Sequence, residues 1–348
     1  MRSFQRPTTF DPVPGDVVHL LGRIDRAAGG EARFRDQLPH LLKSLSAEAR
    51  VHSITASSAI EGIAVAPERI AGLAAGRTRQ FRNRSEAEFA GYRAALDYLY
   101  QEEPGDVTVG LVLHLHRVLF SFTEAAGGQF KTDDNLVVDT GTGGERRVRF
   151  TPVSARETPW YTEELVARTH DAFAASATHP LLVVAAFALD LLCIHPFADG
   201  NGRITRLLSA HLLDRHRYGV GRFVSVEQLV LDTRDGYYDA LAASTEGWFE
   251  DGRHSLWPWA RYLLGRLADA YDRFGQRIAA GTGGGTKQDR VRDFVLLHGP
   301  STFRIGDIRT AVPGVSDNTI RLVLADLKQA RRIHNDGTGR NATWRRLT

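Results

Sequence analysis

Apolar residues recur three and four positions apart along most of the chain, which is the spacing of an amphipathic α-helix. The segments with this pattern are 38–63, 85–100, 107–120, 162–175, 180–194, 203–217, 233–243 and 255–278. The first is expected to end at Gly62, because glycine commonly terminates helices. The second is expected to begin with a capping box between Ser85 and Glu88. The pattern therefore predicts a mainly α-helical bundle.

The helical pattern breaks between residues 129 and 153. Two short runs rich in β-branched residues, LVVD at 136–139 and RVRF at 147–150, flank the turn-forming sequence TGTGGE. Such runs joined by a glycine-rich turn predict a β-hairpin. We expect one hairpin on an otherwise helical body.

The C-terminal part has a different pattern. Residues 279–286, AAGTGGGT, contain four glycines and are the best candidate for a linker. After them come helical patterns and then two short strand patterns, at 288–297, 305–311, 316–330, 332–334 and 343–347. This order is typical of a winged helix-turn-helix, a small α+β domain. The predicted divisions are an N-terminal helical region (1–100), a core (101–278) and a winged-helix domain (287–348).

Positive charge is concentrated in this C-terminal domain. The whole chain carries +3, whereas residues 286–348 hold 12 Lys and Arg against 6 Asp, which is +6 and leaves −3 on the rest. A basic winged helix could bind DNA through its recognition helix and its wing. The candidate contacts are Asn318, Arg321, Lys328 and Arg340. Winged-helix domains also bind proteins, so both interpretations stay open.

Composition and length exclude other functional classes. The single cysteine, Cys193, cannot form an internal disulfide or a cysteine-built zinc site. The most apolar stretch, 180–194, contains Asp190 and is too short to cross a bilayer. The N-terminus lacks the apolar segment of a signal peptide. We therefore expect a cytoplasmic protein with no membrane role.

The segment HPFADGNGRITR at 195–206 carries the candidate chemistry. Its GNG turn lets the backbone approach a ligand closely, and the start of the following helix favours anions. Arg203 and Arg206 project from one face of that helix and suit a polyphosphate. Asp199 supplies a hard oxygen ligand for Mg²⁺. His195 can accept a proton from an attacking hydroxyl, so the segment is suited to phosphoryl-type transfer.

This segment resembles the Fic-domain signature HPF-x-(D/E)-GN-G-R-x-x-R and matches it at every fixed position. The resemblance covers roughly residues 100–260 and implies that the protein attaches AMP from ATP to a Tyr, Thr or Ser hydroxyl of a protein. The roles that it implies are His195 as general base, Phe197 as structural anchor, Asp199 as Mg²⁺ ligand, Gly200, Asn201 and Gly202 as the site for the α- and β-phosphates, Arg203 as β-phosphate clamp and Arg206 as γ-phosphate clamp. The phosphorylating Doc branch of the family has lysine at the position of Gly202, so this glycine favours nucleotidyl transfer.

A second resemblance lies earlier in the chain. The sequence SSAIEG from Ser57 to Gly62 is similar to the (S/T)-x-x-x-E-(G/N) inhibitory motif of Fic proteins. Ser57 and Glu61 share one helix face. We expect Glu61 to pair with Arg206 and occupy the γ-phosphate position, as in the class with an N-terminal inhibitory helix (about 40–63). In some relatives this glutamate supports AMP removal, so that activity stays open.

The predicted hairpin fits the same family. Fic proteins use a β-hairpin flap to hold an extended target segment, and residues 129–153 occupy that place. The resemblance implies target docking by Lys131, Arg149 and Phe150. Lys131 stands where arginine is usual, and Thr151-Pro152 replaces Pro-Pro.

Tyr237 and Tyr238 lie where the family has aromatic residues near the adenosine, with ordinary core packing as the alternative. Together these features predict a Mg²⁺-dependent protein adenylyltransferase that is inhibited by Glu61 and modifies another protein or itself. Three alternatives stay open: a nucleotide-sensing DNA-binding regulator, AMP removal by the same site, and a donor other than ATP. No feature of the sequence fixes the oligomeric state, and a homodimer is one option.

Overall fold

The computed structural model describes residues 1–4, 12–37, 39–78, 80–140, 146–249, 253–282, 286–312, 314–337 and 342–347. The α-helices of the body are α1 (Gly15–Gln37), α2 (Pro39–Ile60), α3 (Pro67–Ala74), α4 (Arg84–Gln101), α5 (Val109–Leu119), α6 (Thr158–Ala175), α7 (Pro180–Ile194), α8 (Asn201–Arg215), α9 (Val226–Asp232), α10 (Arg234–Thr245) and α11 (Trp257–Thr282). The predicted mainly helical body with one hairpin is confirmed. Among the described residues, none of the helices combines the length and apolarity that a membrane crossing requires.

Helix α7 lies at the centre of the large core. Its residues are apolar on every face except Asp190, and nearly all of them are buried, as expected of a helix surrounded by other helices. Pro180 occupies its first turn, where a missing N–H costs nothing. The helix ends at Ile194, and the residue after it precedes Pro196, a position that disfavours helical backbone. The predicted bounds, 180–194, are those observed.

The hairpin has the predicted position. Strands β1 (Val137–Thr140) and β2 (Arg146–Phe150) pair antiparallel, with a register shift between Val137 and Val138. The residues between the strands, 141–145, lie outside the described part of the chain. Helix α10 packs against β2, so the hairpin lies beside the body and borders the site described below.

The C-terminal residues form a second, smaller core. Its elements are α12 (Lys287–Asp293), a π-helix (Phe294–His298), β3 (Thr302–Phe303), α13 (Ile305–Ala311), α14 (Asp317–Gln329), β4 (Ile333–Asp336) and β5 (Thr343–Arg346). The strands form an antiparallel sheet in the order β3–β5–β4. The three predicted helices and the two predicted strands are present, and β3 is an additional short strand. The assignment to the winged-helix class stays a prediction, as does DNA contact; Asn318, Arg321 and Lys328 are exposed on α14, and Arg340 lies outside the described residues.

Three local predictions were wrong or incomplete. Helix α4 begins at Arg84 and is capped by Asn83, whose side chain accepts a hydrogen bond from the Glu86 N–H at 3.0 Å, so Ser85 is not the cap. Helix α11 extends to Thr282, so the predicted linker begins with helical residues, and residues 283–285 of it are not described. Helices α1, α3 and α9 were not predicted; in α1 the glycines weaken the helical pattern.

Candidate active site

The loop between α7 and α8 holds His195 in an unusual backbone conformation. His195 has φ 52° and ψ 60°, in the left-handed region, and its N–H donates to the Leu191 carbonyl at 2.9 Å. Its Nδ1 lies 3.3 Å from the Leu192 carbonyl oxygen. A carbonyl can only accept, so this contact favours the tautomer with the proton on Nδ1 and a free lone pair on Nε2.

The imidazole of His195 is neutral at pH 7. Burial is the main cause and lowers the pKa of His195 to about 4. The charge of Lys131 lowers this pKa as well, whereas the Leu192 carbonyl, Glu61 and Asp199 raise it. A neutral imidazole can accept a proton, although a base with this pKa does so less readily than one near pH 7. His195 also lines the largest cleft of the site, described below.

Phe197 anchors the loop in the core, as the resemblance implied. Its ring is fully buried and stacks on the His116 ring, with centroids 3.7 Å apart. Its backbone N–H donates to Asn201 Oδ1 at 2.9 Å, and its carbonyl accepts from Asn201 Nδ2 at 2.8 Å. The Asn201 amide is therefore used within the loop. Its side chain is buried there and does not line the cleft, so the geometry gives it a loop-shaping position instead of the implied phosphate contact.

His116 on α5 is a loop-positioning residue that the sequence analysis missed. The Gly128 N–H donates to its Nδ1 at 2.9 Å, so Nε2 carries the proton and donates to the Asp199 carbonyl at 3.2 Å. Burial lowers the pKa of His116 to about 4, which keeps this neutral tautomer. No local signal distinguishes His116 from an ordinary residue of an apolar helix.

The start of α8 has the backbone geometry on which the predicted anion site depends. Gly200 is its N-cap residue with φ 81°, and the helix start has no side-chain cap. A Cβ at Gly200 would lie 2.9 Å from Phe120 Cε2 and 3.0 Å from Leu119 Cδ2, so only glycine fits there without movement. The first N–H groups of a helix have no acceptor within it, and here no side chain takes that place. They are available to an anion.

Glu61 lies directly over this helix start. Its Oε1 accepts from Arg206 Nη2 at 2.8 Å, which is the predicted ion pair. A Cβ added at Gly202 would collide with the same oxygen. Ser57 holds the other side of the guanidinium, because Arg206 Nε donates to Ser57 Oγ at 2.9 Å and Nη2 to the Ser57 carbonyl at 3.0 Å. Burial lowers the pKa of Arg206, but Glu61 and other neighbours outweigh it and raise the pKa, so Arg206 stays charged.

Arg203 points away from the cleft, in contrast to the implied arrangement. Its side chain is 1% exposed, and Nη1 donates to Glu88 Oε2 at 2.6 Å. Its Nη2 reaches Asp199 Oδ1 at 3.3 Å. Arg84 completes a ring of alternating charges, donating to Glu88 Oε1 at 2.5 Å and to Asp199 Oδ2 at 3.1 Å. Glu88, predicted as part of a helix cap, instead holds the two arginines.

Asp199 fits a Mg²⁺ ligand on its chemistry. Its side chain is 54% exposed, and both carboxylate oxygens already face cations, Arg84 and Arg203. Arg84 is 67% exposed and can move away at little cost. Within the described residues no group of three or more His, Cys, Asp or Glu could hold a metal. A single carboxylate is enough for Mg²⁺, which keeps waters and substrate phosphates as its other ligands. Asp199 does not line the main cleft and borders a smaller hollow beside it.

The main cleft has a volume of about 580 Å³ and lies between the loop that joins α7 to α8, the hairpin and α10. Among the residues that line it are Glu61, Val137, Phe150, His195, Gly202, Arg234, Tyr237 and Tyr238. Tyr237 is mostly buried and packs edge-on against Tyr238 and Trp259, so it is a wall of the cleft and part of the core. Tyr238 is half-buried and lies beneath the Arg234 guanidinium, 5.5 Å from the ring centroid.

The three residues expected in the target-docking flap have different surroundings. Phe150 lines the cleft and stacks on Phe249 with centroids 5.6 Å apart. The side chain of Arg149 lies outside the described part of the structure. Lys131 is buried under the loop that joins α7 to α8, and its Nζ donates to the Ile194 carbonyl, so it cannot contact a docked target. Its assignment to target docking was wrong, because residues 130–135 lie beneath the loop and not on the exposed hairpin.

These motifs and this geometry agree with an independent match to known proteins. Residues 106–213 match the Fic/DOC family. The chain contains a Fic domain. The crystal structure of a Fic family protein from Desulfovibrio desulfuricans superposes with a TM-score of 0.63 at 21% identity, covering 96% of this chain and 97% of that chain. At this identity the likeness shows a shared fold.

Curated relatives match shorter parts of the chain. The protein adenylyltransferase fic-1 of Caenorhabditis elegans is 26% identical over 196 residues, which are 55% of this chain and 34% of that protein. A ribonucleoside-diphosphate reductase small chain of Ostreid herpesvirus 1 is 55% identical over 40 residues, which are 12% of this chain and 7% of that protein. The chain thus spans about a third or less of the length of these relatives.

Proposed function

We propose that this chain transfers AMP from ATP to a Ser, Thr or Tyr hydroxyl of a protein, with Glu61 as its built-in inhibitor. One observation supports this most directly: a neutral histidine and an anion site at a helix start line the same cleft. The relation to a protein named as an adenylyltransferase supports it further, at 26% identity. Both His195 and Gly202 face the cleft, so a phosphate chain over the helix start would lie beside the base.

The reaction balances without any further reactant. The target hydroxyl oxygen forms a bond to the α-phosphorus of ATP while the bond to the β-phosphate oxygen breaks, and pyrophosphate leaves. Nε2 of His195 takes the hydroxyl proton. Mg²⁺, held by Asp199 and the phosphates, would neutralise charge on the phosphate chain. The N–H groups at the start of α8 and the Arg206 guanidinium stabilise the charge that develops on the leaving group.

Inhibition follows from the position of Glu61. Its carboxylate pairs with the Arg206 guanidinium and lies over the start of α8, so it occupies the space that a terminal phosphate would need. A charge-assisted hydrogen bond contributes about 1.5–3 kcal/mol. Since 1.4 kcal/mol corresponds to a factor of ten, this contact biases the site about ten- to hundredfold against ATP in its productive position. Glu61 is 32% exposed, so it can leave without unfolding α2.

The test replaces Glu61 with Gly and follows the intact mass of the chain during incubation with ATP and Mg²⁺. We expect a gain of one AMP mass by self-modification, which is about ten- to hundredfold slower in the native chain and absent in the doubly changed Glu61→Gly/His195→Ala protein. The second change removes the base and leaves the phosphate site intact, so it should still bind ATP. A Glu61→Gly protein that binds ATP and shows no covalent product on itself or on added cell extract would refute the proposal.

AMP removal is a second candidate, because the Glu61 carboxylate lines the same cleft as His195 and could position a water there. The two activities respond oppositely to one substitution. Transfer should rise in Glu61→Gly, whereas removal of AMP from a modified protein should be lost. A variant that gains no transfer and loses removal would favour the second candidate.

A further inference from the structure

The segment that leads into the hairpin, residues 130–135, holds the loop between α7 and α8, residues 195–200, from beneath. The Lys131 side chain is buried, and its Nζ donates to the Ile194 carbonyl at 3.3 Å and to Asn135 Oδ1 at 2.8 Å. The Lys131 backbone N–H donates to the Pro196 carbonyl at 2.9 Å. Asn135 Nδ2 donates to the Phe197 carbonyl at 3.2 Å. Two side chains and one N–H thus bind three carbonyls of the loop.

These contacts lie on either side of His195. A non-glycine residue in the left-handed region costs on the order of 1–3 kcal/mol and persists only where its surroundings fix it. The carbonyls before and after His195, those of Ile194 and Pro196, are the two that Lys131 binds. The strained conformation is therefore held at both ends by one residue.

We propose that Lys131 is a positioning residue for His195: with Asn135 it fixes the backbone on both sides of the histidine and places a positive charge behind the imidazole. The proposal rests on the role of His195 in the proposed function. It gives Lys131 a task other than target docking, and it explains a buried lysine whose two side-chain acceptors are neutral oxygens. Isolated buried ammonium groups are costly, so this one is expected to serve a function.

The charges around His195 agree with this role. Burial lowers the pKa of Lys131 to about 8, with Asp134 raising it, so the ammonium is mostly charged at pH 7. The groups that act on His195 are the Leu192 carbonyl, Lys131, Glu61 and Asp199, and among these Lys131 lowers its pKa. Removing the lysine charge should therefore raise the pKa of His195 and protonate the base at a higher pH.

The experiment compares Lys131→Met, Lys131→Arg and Asn135→Leu, each in the Glu61→Gly protein, by the rate of AMP transfer across the pH range. We expect Lys131→Met to slow transfer about 10²-fold through misplacement of the base, and to move the acidic limb of the profile to higher pH. Lys131→Arg keeps the charge and the donors, so it should restore most of the rate and the original limb. Asn135→Leu should slow transfer without moving the limb, because the lysine charge remains.

A purely structural role for Lys131 gives different results. Lys43→Met, a change at an exposed lysine on α2, controls for charge removal and should leave both rate and pH profile as in the parent. Lys131→Met with the parent's acidic limb and a rate within about threefold, per folded protein, would overturn the proposal. If Lys131→Met does not fold, a shifted limb in Lys131→Arg or in Asn135→Leu overturns it instead.

A readout independent of transfer separates this proposal from the proposed function. The ring protons of His195 can be followed by NMR as a function of pH in the native chain and in Lys131→Met. We expect the variant to titrate at higher pH. Equal titration in the two proteins would refute the positioning role, whether or not the chain transfers AMP.

Discussion

Glu88 offers the sharpest test of how the arginines of the motif are held. Its buried carboxylate, 5% exposed, accepts from Arg203 at 2.6 Å and from Arg84 at 2.5 Å. Arg203 does not line the cleft, so a phosphate contact requires its Nη2, which now reaches Asp199 Oδ1 at 3.3 Å, to exchange that partner. We expect Glu88→Gln to lower both stability and AMP transfer, because it leaves two guanidinium groups without their shared carboxylate.

The expected sizes follow from burial. Removing one partner of a buried ion pair costs about 3–5 kcal/mol. Because glutamine keeps one acceptor oxygen, the free energy of unfolding should fall by about 3 kcal/mol. A hydrogen bond to a charged group is worth about 1.5–3 kcal/mol. If a misoriented Arg203 stabilises the transition state less by this free energy, kcat/KM falls about ten- to hundredfold, since 1.4 kcal/mol is one factor of ten.

Glu86 provides a matched control on the same helix. It is as buried as Glu88 and accepts from one arginine through both oxygens, at 2.9 and 2.8 Å, and this partner, Arg69, is not part of the motif. Both variants are made in the Glu61→Gly protein, and kcat/KM for ATP is measured beside urea unfolding. Glu86→Gln should destabilise the fold and keep the kcat/KM of the folded protein. Equal losses of kcat/KM in both variants, or none in Glu88→Gln, would show that Glu88 has no part in orienting Arg203.

Two further substitutions test the fold around the loop. Gly200→Ala should lower the free energy of unfolding by about 1–3 kcal/mol, because Gly200 has φ 81° and an added Cβ would contact Phe120. Gly105→Ala is the control and should not lower it, because a Cβ there meets nothing within 4 Å. Equal effects of the two substitutions in a urea titration would contradict this. Burial raises the pKa of Asp190 to about 6, above its unfolded value of about 3.9. The folded state therefore binds the proton more tightly, and stability should fall as pH rises from about 4 to about 6 and then level off. Asp190→Asn should abolish that slope in urea unfolding measured across the range, and a slope that persists would refute the assignment.

The sequence predicts best those elements whose ends are marked by residues within or next to them. Helix α7 was predicted to the residue because it is apolar on every face and is bounded by Pro180 and Pro196. Helix α1 was missed because Val17, Leu21 and Ile24 form its buried face while Gly22, Gly29 and Gly30 weaken its intrinsic propensity. Packing against α11 decides its conformation, and packing between distant segments leaves no local signal.

In the candidate site, too, the residues of a local motif were predictable, whereas contacts between distant segments were not. The motif predicted a place in the site for His195, in the core for Phe197 and beside Glu61 for Arg206, and the structure has His195 in the cleft, Phe197 buried and Arg206 paired with Glu61. The motif could not indicate that Asn201 bonds within its own loop, or that Lys131 lies beneath it. How these side chains are oriented depends on how segments that are distant in the sequence pack together.

The two arginines illustrate why one partner was predictable and the other was not. Arg203 and Arg206 lie three positions apart on α8, but Arg203 pairs with Glu88 on α4 and Arg206 pairs with Glu61 just after α2. Each is nearly buried, and a buried guanidinium needs a carboxylate partner. Glu61 is 32% exposed, whereas Glu88 is 5% exposed and its departure would leave the buried Arg203 guanidinium without its carboxylate. Glu61 could be predicted because it belongs to a segment, SSAIEG, that resembles the inhibitory motif of Fic proteins. A permanent partner such as Glu88 has no such counterpart, and only the packing of α4 against α8 identifies it.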